Sequence, residues 1–180
     1  MTLVGITNDN YASFKQSEQA ILVAGASWCP ACTRYKPVVA AVADLMPNVT
    51  FGEAVLDKGH LSQFKRDYPD IGQIPITFGM VKGEDVFRLI GEYESVNELL
   101  EVLTRRFALG TNVGKTVYLP VKEGVWIWAR RTTTPAMVRM IVDDFYVLEL
   151  LQNSALGKQS TQISIPIDSE KLPEGLEGKL

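Results

Sequence analysis

The chain has 180 residues, 46% hydrophobic and 22% charged, a composition typical of a soluble globular protein with enough apolar mass for one large domain or a domain with an appendage. A formal net charge of −3, with no Lys/Arg cluster, argues against nucleic-acid binding. The sequence has no run of about 18 apolar residues, so it predicts no membrane span. The N-terminus lacks the basic and apolar regions of a signal peptide, and we therefore expect a cytoplasmic protein.

The first part of the chain alternates strand and helix patterns. Short apolar, β-branched runs predict strands at Leu3–Ile6, Ile21–Ala26, 48–57, Ile76–Val81 and Val86–Ile90. Helical patterns predict helices at Asn8–Ser17, 30–46, 60–68 and 95–109. We therefore expect an α/β fold with a central mixed sheet and helices on both faces. In the helix after residue 30, the spacing of Val38, Val42 and Leu45 predicts a buried face.

Beyond Gly110 the pattern changes to a β-hairpin and an apolar helix. Residues 115–131 read as two strands around a Lys-Glu-Gly turn, with Trp126 and Trp128 on one face. Thr134 and Pro135 are typical of the N-cap and first position of a helix, which we expect to end at about residue 152. We therefore predict a small α+β extension over residues 110–157.

The predicted helix of the extension is apolar on so many sides that it should contact two surfaces. We predict a docking or oligomerisation element, for a second copy or another protein, with Trp126, Trp128 and Met140 as candidate contacts. The alternative is a satellite module packed entirely on its own domain. Residues 158–180 are rich in Pro, Gly and charge and predict an extended or disordered tail.

The two cysteines of the chain, Cys29 and Cys32, lie three residues apart. A metal site, a structural disulfide, a redox pair and chance packing all have to be considered. A structural zinc ion needs a full tetrahedral set of nitrogen and sulfur ligands, and the one histidine, His60, is distant in sequence. We expect no metal, and we interpret His60 as an exposed residue at a helix start.

The cysteines stand where a buried strand is followed by a helix. The unpaired N–H groups and positive dipole end of a helix N-terminus stabilise an anion, so a thiolate at Cys29 should be favoured near neutral pH. Pro30 suits the first helical position. Cys32 lies nearly one turn later, close enough for a disulfide, and we expect it to be more shielded than an exposed, attacking Cys29.

The segment Trp-Cys-Pro-Ala-Cys, with Pro37 in the following helix, Ile74-Pro75 and a late Gly91, resembles the thioredoxin superfamily over residues 1 to about 109. The resemblance implies a thioredoxin-like fold and a redox-active disulfide between the two cysteines, with no other cofactor. It also implies a cis peptide bond before Pro75.

The resemblance further implies a substrate groove beside the cysteines. In the family, the backbone of the residue before the cis-proline, here Ile74, pairs with an extended substrate chain. Trp28, Pro30, Pro75 and Gly91 are the other candidate substrate-binding residues. For Trp28 the alternative is an ordinary aromatic lid on the core, and for Pro75 it is a trans proline at a strand start.

Two departures from the family pattern concern acid–base chemistry. The family usually places a buried Asp behind the resolving cysteine, and here Ala24 stands in that neighbourhood. Glu53 lies on the next strand, where the family commonly has a lysine facing the same spot. We predict that Glu53 supplies the proton relay; the alternative is that Glu53 is a solvent-facing strand residue.

Two classes of function therefore remain open. The first is a thiol-disulfide oxidoreductase that reduces disulfides in protein substrates, for which the family implies a reductase or glutathione as electron donor. The second is a non-enzymatic interaction or assembly protein that uses a thioredoxin fold and binds its partner through the extension.

Overall fold

A computed structural model describes residues 3–110, 113–114, 116–122, 131–142, 145–150 and 162–167. The chain forms two compact units, Met1–Ala108 and Leu109–Leu180, which are described separately. Within the described residues, no helix combines the length and the apolar character that crossing a bilayer requires.

The first unit is a mixed sheet with helices. Its strands are β1 (Val4–Gly5), β2 (Gln19–Gly25), β3 (Thr50–Val55), β4 (Ile76–Val81) and β5 (Glu84–Ile90). Its helices are α1 (Asn8–Lys15), α2 (Pro30–Leu45), α3 (Ser62–Asp67) and α4, which runs over Val96–Gly110. The strand order is β1-β3-β2-β4-β5, parallel across β1, β3 and β2 and antiparallel from β2 to β5. This agrees closely with the predicted elements.

The alternation of side chains along β2 and β4 divides the core between the two sheet faces. On one face, Leu22 and Phe78 belong to a buried cluster with aromatic residues of α1 and α3. On the other face, the hydroxyl of Tyr35 on α2 lies 3.0 Å from that of Thr77 on β4. Both faces of the sheet are therefore covered by helices, as the sequence predicted.

The buried side of α2 differs from the predicted one. Tyr35 and Val39 are 1% exposed and Val42 is fully buried, whereas Val38 is only half-buried and Leu45 is 55% exposed. The predicted face is therefore corrected. The stripe that packs on the sheet has the same helical spacing but begins at Tyr35.

The hairpin between β4 and β5 turns through Lys82 and Gly83. Both residues have positive φ, 49° and 88° respectively. A two-residue turn of this kind matches the right-handed twist of the flanking strands, and glycine adopts it without steric cost. β5 begins at Glu84, two residues earlier than the predicted strand Val86–Ile90.

The described part of the second unit consists of antiparallel strands. These are β6 (Thr116–Lys122), β7 (Arg131–Val142), β8 (Phe145–Leu150) and β9 (Gln162–Pro166), each paired with the next. The first hairpin strand is therefore present. The second predicted strand, with Trp126 and Trp128, lies outside the described residues. Part of the segment predicted as an extended or disordered tail forms β9.

The predicted helix from Thr134 to about residue 152 is wrong, because its described residues form β7 and β8. The pairing of β7 with β8 shifts register between Val138 and Met140. This irregularity leaves Val138 and Ile141 both fully buried, at a spacing of three residues that imitates a helix. The bulge therefore gives this strand the apolar spacing that is typical of a helix.

Candidate redox site

Cys29 is the N-cap residue of α2, with Pro30 at the start of the helix. Its sulfur accepts a hydrogen bond from the backbone N–H of Cys32 at 3.1 Å, which satisfies one of the free donors of the first helical turn. Cys29 and Cys32 form a disulfide, with their Cα atoms 5.3 Å apart. The predicted position of Cys29, where a strand gives way to a helix N-terminus, is confirmed.

The exposure of the two cysteines is the reverse of the prediction. Cys29 is only 4% exposed, whereas Cys32 is half-buried. Cys32 packs closely on Gly25 of β2, where a Cβ atom would lie 3.0 Å from the Cys32 sulfur. A larger residue at position 25 would therefore crowd the Cys32 sulfur.

The loop before the cysteines is held by a contact that sequence reasoning missed. The backbone N–H of Ser27 donates to Asp57 Oδ1 at 2.7 Å, and its hydroxyl donates to Asp57 Oδ2. These two hydrogen bonds lower the pKa of the Asp57 carboxyl below its ordinary value. The contact joins residues 30 positions apart, and no local sequence pattern indicates it.

Cys32 opens into a cavity of about 200 Å³ lined by charged side chains from α2 and the β3 region, namely Lys36, Glu53 and Lys58. Lys36 Nζ lies 2.5 Å from Glu53 Oε2, and the Glu53 side chain is 25% exposed. Glu53 is therefore a partly buried member of an ion pair that lines the same cavity as Cys32.

Val23 and Gly25 share one face of β2: Val23 is in register with Glu53 on β3 and with Thr77 on β4, and a Cβ atom on Gly25 would lie 3.0 Å from the Cys32 sulfur. Ala24 belongs to the core cluster on the opposite face, with Leu22 and Phe78. The assignment of Ala24 to this neighbourhood is thus corrected, because neighbouring residues of a strand point to opposite faces. A carboxyl group is absent from β2 at either position.

The Ile74–Pro75 peptide bond is cis. Pro75 is buried and Ile74 half-buried. The carbonyl of Pro75 accepts a hydrogen bond from the N–H of Gly91 at 2.9 Å, and Gly91 has a φ of 95°, a conformation that favours glycine. The structure therefore joins two of the candidate substrate-binding residues, Pro75 and Gly91, by a backbone contact.

Trp28 is 72% exposed, so it does not form a lid on the core. Among the candidate contacts of the extension, Met140 lies on β7 and is half-buried, while the two tryptophans lie outside the described residues. His60 is exposed, as expected. In the described part of the chain, no cluster of His, Cys, Asp and Glu has the arrangement of a metal site.

No family model matches the chain, and no curated protein matches it. Among solved structures, it is similar to a thioredoxin of Malassezia sympodialis, at 18% identity and a TM-score of 0.50, over 58% of this chain and 90% of that one. It is also similar to oxidised thioredoxin O2 of Arabidopsis thaliana, at 20% identity and a TM-score of 0.50, over 57% and 92%. The thioredoxin-like fold predicted for the N-terminal part is confirmed.

Proposed function

We propose that the chain is a thiol-disulfide oxidoreductase that reduces disulfides in protein substrates through Cys29 and Cys32. The observation that supports this most directly is the disulfide at the N-terminus of α2, where the Cys29 sulfur accepts the N–H of Cys32. This hydrogen bond and the helix dipole favour a thiolate at Cys29 once the disulfide is reduced. The fold of the first unit, shared with thioredoxins, is consistent with this chemistry.

In the proposed reaction, the Cys29 thiolate attacks one sulfur of the substrate disulfide and forms a mixed disulfide, while the other substrate sulfur leaves as a thiolate. Cys32 then loses its proton and attacks the Cys29 sulfur. The second substrate sulfur leaves as a thiolate, and the Cys29–Cys32 disulfide is formed. The protein is oxidised by two electrons and the substrate disulfide is reduced by two.

Glu53 is the proposed acceptor of the Cys32 proton. Both residues line the same cavity, and the β2 strand behind them offers no carboxyl group. Lys36, paired with Glu53, would hold the carboxylate in place and compensate its charge. This arrangement would replace the usual buried Asp with a carboxylate from the neighbouring strand β3.

The proposed substrate groove lies beside the cysteines and is formed by Trp28, Pro30, Ile74, Pro75 and Gly91. The large exposed surface of Trp28 is available to a protein substrate. The backbone of Ile74 would pair with an extended substrate segment. The proposed electron donor is a reductase or glutathione, the proposed setting is the cytoplasm, and no cofactor besides the cysteine pair is needed.

An insulin-reduction assay tests the proposal. We expect the wild-type protein to accelerate insulin reduction by dithiothreitol and Cys29→Ser to show only the background rate. Cys32→Ser should accumulate a mixed disulfide through Cys29, because the resolving sulfur is missing. A wild-type protein that does not exceed the background, or a fully active Cys29→Ser variant, would contradict the proposal.

The Glu53 role is tested by the rate at which the mixed disulfide is resolved. We expect Glu53→Gln to slow resolution by roughly 10²-fold or more near neutral pH, in line with general base catalysis. Glu101→Gln is the matched control, since Glu101 is exposed on α4 and lies outside the cavity. Equal resolution rates in the two variants would remove Glu53 from the mechanism.

A docking or oligomerisation role for residues 110–157, through Trp126, Trp128 and Met140, remains a prediction. The half-buried position of Met140 on β7 leaves part of its side chain available for contact. Light scattering of the full-length chain during size-exclusion chromatography tests self-assembly. A monomer at all accessible concentrations would exclude a second copy as the partner.

A further inference from the structure

The two cysteines of the disulfide differ in their exposure and in their access to the cavity. Cys32 lines the cavity of about 200 Å³ together with Gly25, Lys36, Glu53 and Lys58, and Cys29 does not line it. Cys29 is 4% exposed in this oxidised state. A small thiol that enters the cavity therefore lies against Cys32 and not against Cys29.

Leaving-group chemistry favours the same sulfur. Thiol-disulfide exchange is faster when the departing thiolate is the more stable one. Attack on Cys32 expels the Cys29 thiolate, which sits at the N-cap of α2 and keeps the N–H of Cys32 as a donor at 3.1 Å. Attack on Cys29 would instead expel a Cys32 thiolate, which is not at the N-cap of α2.

The charges of the cavity indicate which small thiols fit. Lys36 and Lys58 are both exposed and both line the cavity, and Lys36 is paired with Glu53. Lys58 thus contributes a positive charge beside the entering molecule. A carboxylate on the thiol would be attracted at this rim, and an ammonium group would be repelled.

We propose that the oxidised protein is reduced at Cys32 by a small, carboxylate-bearing thiol that enters this cavity. This inference rests on the proposed function and concerns its electron donor. The thiolate of the donor forms a bond to Cys32 Sγ, the Cys29–Cys32 bond breaks, and Cys29 leaves as a thiolate. A second donor thiolate then attacks the donor sulfur of the mixed disulfide, which yields the oxidised donor disulfide and the Cys32 thiolate.

The site of attack is tested by trapping. Oxidised full-length protein is mixed with glutathione, quenched within a single turnover by N-ethylmaleimide, and mapped by tandem mass spectrometry. We expect glutathione on Cys32 and maleimide on Cys29. Glutathione on Cys29 overturns the proposal, and so does reduction that leaves no Cys32 adduct at any quench time.

The charge selectivity is tested by comparing glutathione with cysteamine, a cationic thiol, as reductants of the oxidised protein. We expect Lys58→Glu to lower the ratio of the glutathione rate to the cysteamine rate roughly threefold or more at low ionic strength. The decrease should be smaller in high salt. Lys65→Glu on α3 is the charge-matched control, since Lys65 is exposed and lies outside the cavity. An equal change in the two variants, or none in Lys58→Glu, overturns the proposal.

These results can be separated from those for the proposed function. Stoichiometric reduction of insulin by the pre-reduced protein tests the oxidoreductase activity without the donor step. Insulin reduction together with a glutathione adduct on Cys29 would refute only the proposed attack of the donor thiol on Cys32. A Cys32 adduct without insulin reduction would refute the proposed activity while leaving the cavity as the site of attack by small thiols.

Discussion

Tyr35→Phe should weaken the anchoring of α2, the helix that carries the cysteines, on the sheet. The Tyr35 side chain is 1% exposed, Thr77 is fully buried, and their hydroxyl oxygens are 3.0 Å apart. Burial raises the pKa of Tyr35, so its hydroxyl remains protonated at neutral pH. The substitution leaves the Thr77 hydroxyl without this partner in a place that water does not reach, which costs about 1–3 kcal/mol of unfolding free energy.

The double variant Tyr35→Phe/Thr77→Val removes both hydroxyls, so it should be less destabilised than the sum of the single variants by about 0.5–1.5 kcal/mol. Urea-dependent hydrogen exchange of peptides from α2 and β4 measures the unfolding free energy of the first unit. Thr104→Val is the control, because the Thr104 hydroxyl is on an exposed residue of α4. The reasoning would be refuted by additive single effects, or by a Tyr35→Phe protein as stable as wild type.

Three further predictions concern stability. Hydrogen bonds from Ser27 lower the pKa of Asp57 below its ordinary 3.8, so the stability difference between wild type and Asp57→Asn should be constant above about pH 4 and shrink as the pH falls further. Urea unfolding across this range checks it, and a difference unchanged in strong acid would contradict it. Gly79→Ala should cost about 1–3 kcal/mol, since its Cβ would lie 2.1 Å from the Phe87 ring, and an unchanged melting temperature would oppose this. Leu103→Ala, at a fully buried position, should cost about 2–5 kcal/mol in urea unfolding, whereas a value near zero would mean that α4 does not pack there.

The N-terminal fold was predictable because its signals are local. A buried strand, a proline at a helix start and the turn at Lys82 and Gly83 each involve a few neighbouring residues. The helix predicted from Thr134 to about residue 152 was wrong for the same reason, because its signal was also local. The register shift between Val138 and Met140 depends on pairing with β8, and only that pairing distinguishes the segment from an apolar helix.

The sequence by itself determined the position of Cys29 at a helix N-terminus, with Cys32 within reach of a disulfide, because both follow from the order of strand, proline and helix. Only the tertiary structure decided which of the two cysteines is the more exposed. Gly25 of β2 lies against Cys32, and Lys36 of α2 and Glu53 of β3 line the same cavity as Cys32. The packing of separate elements brings these residues together, and no local sequence pattern predicts that.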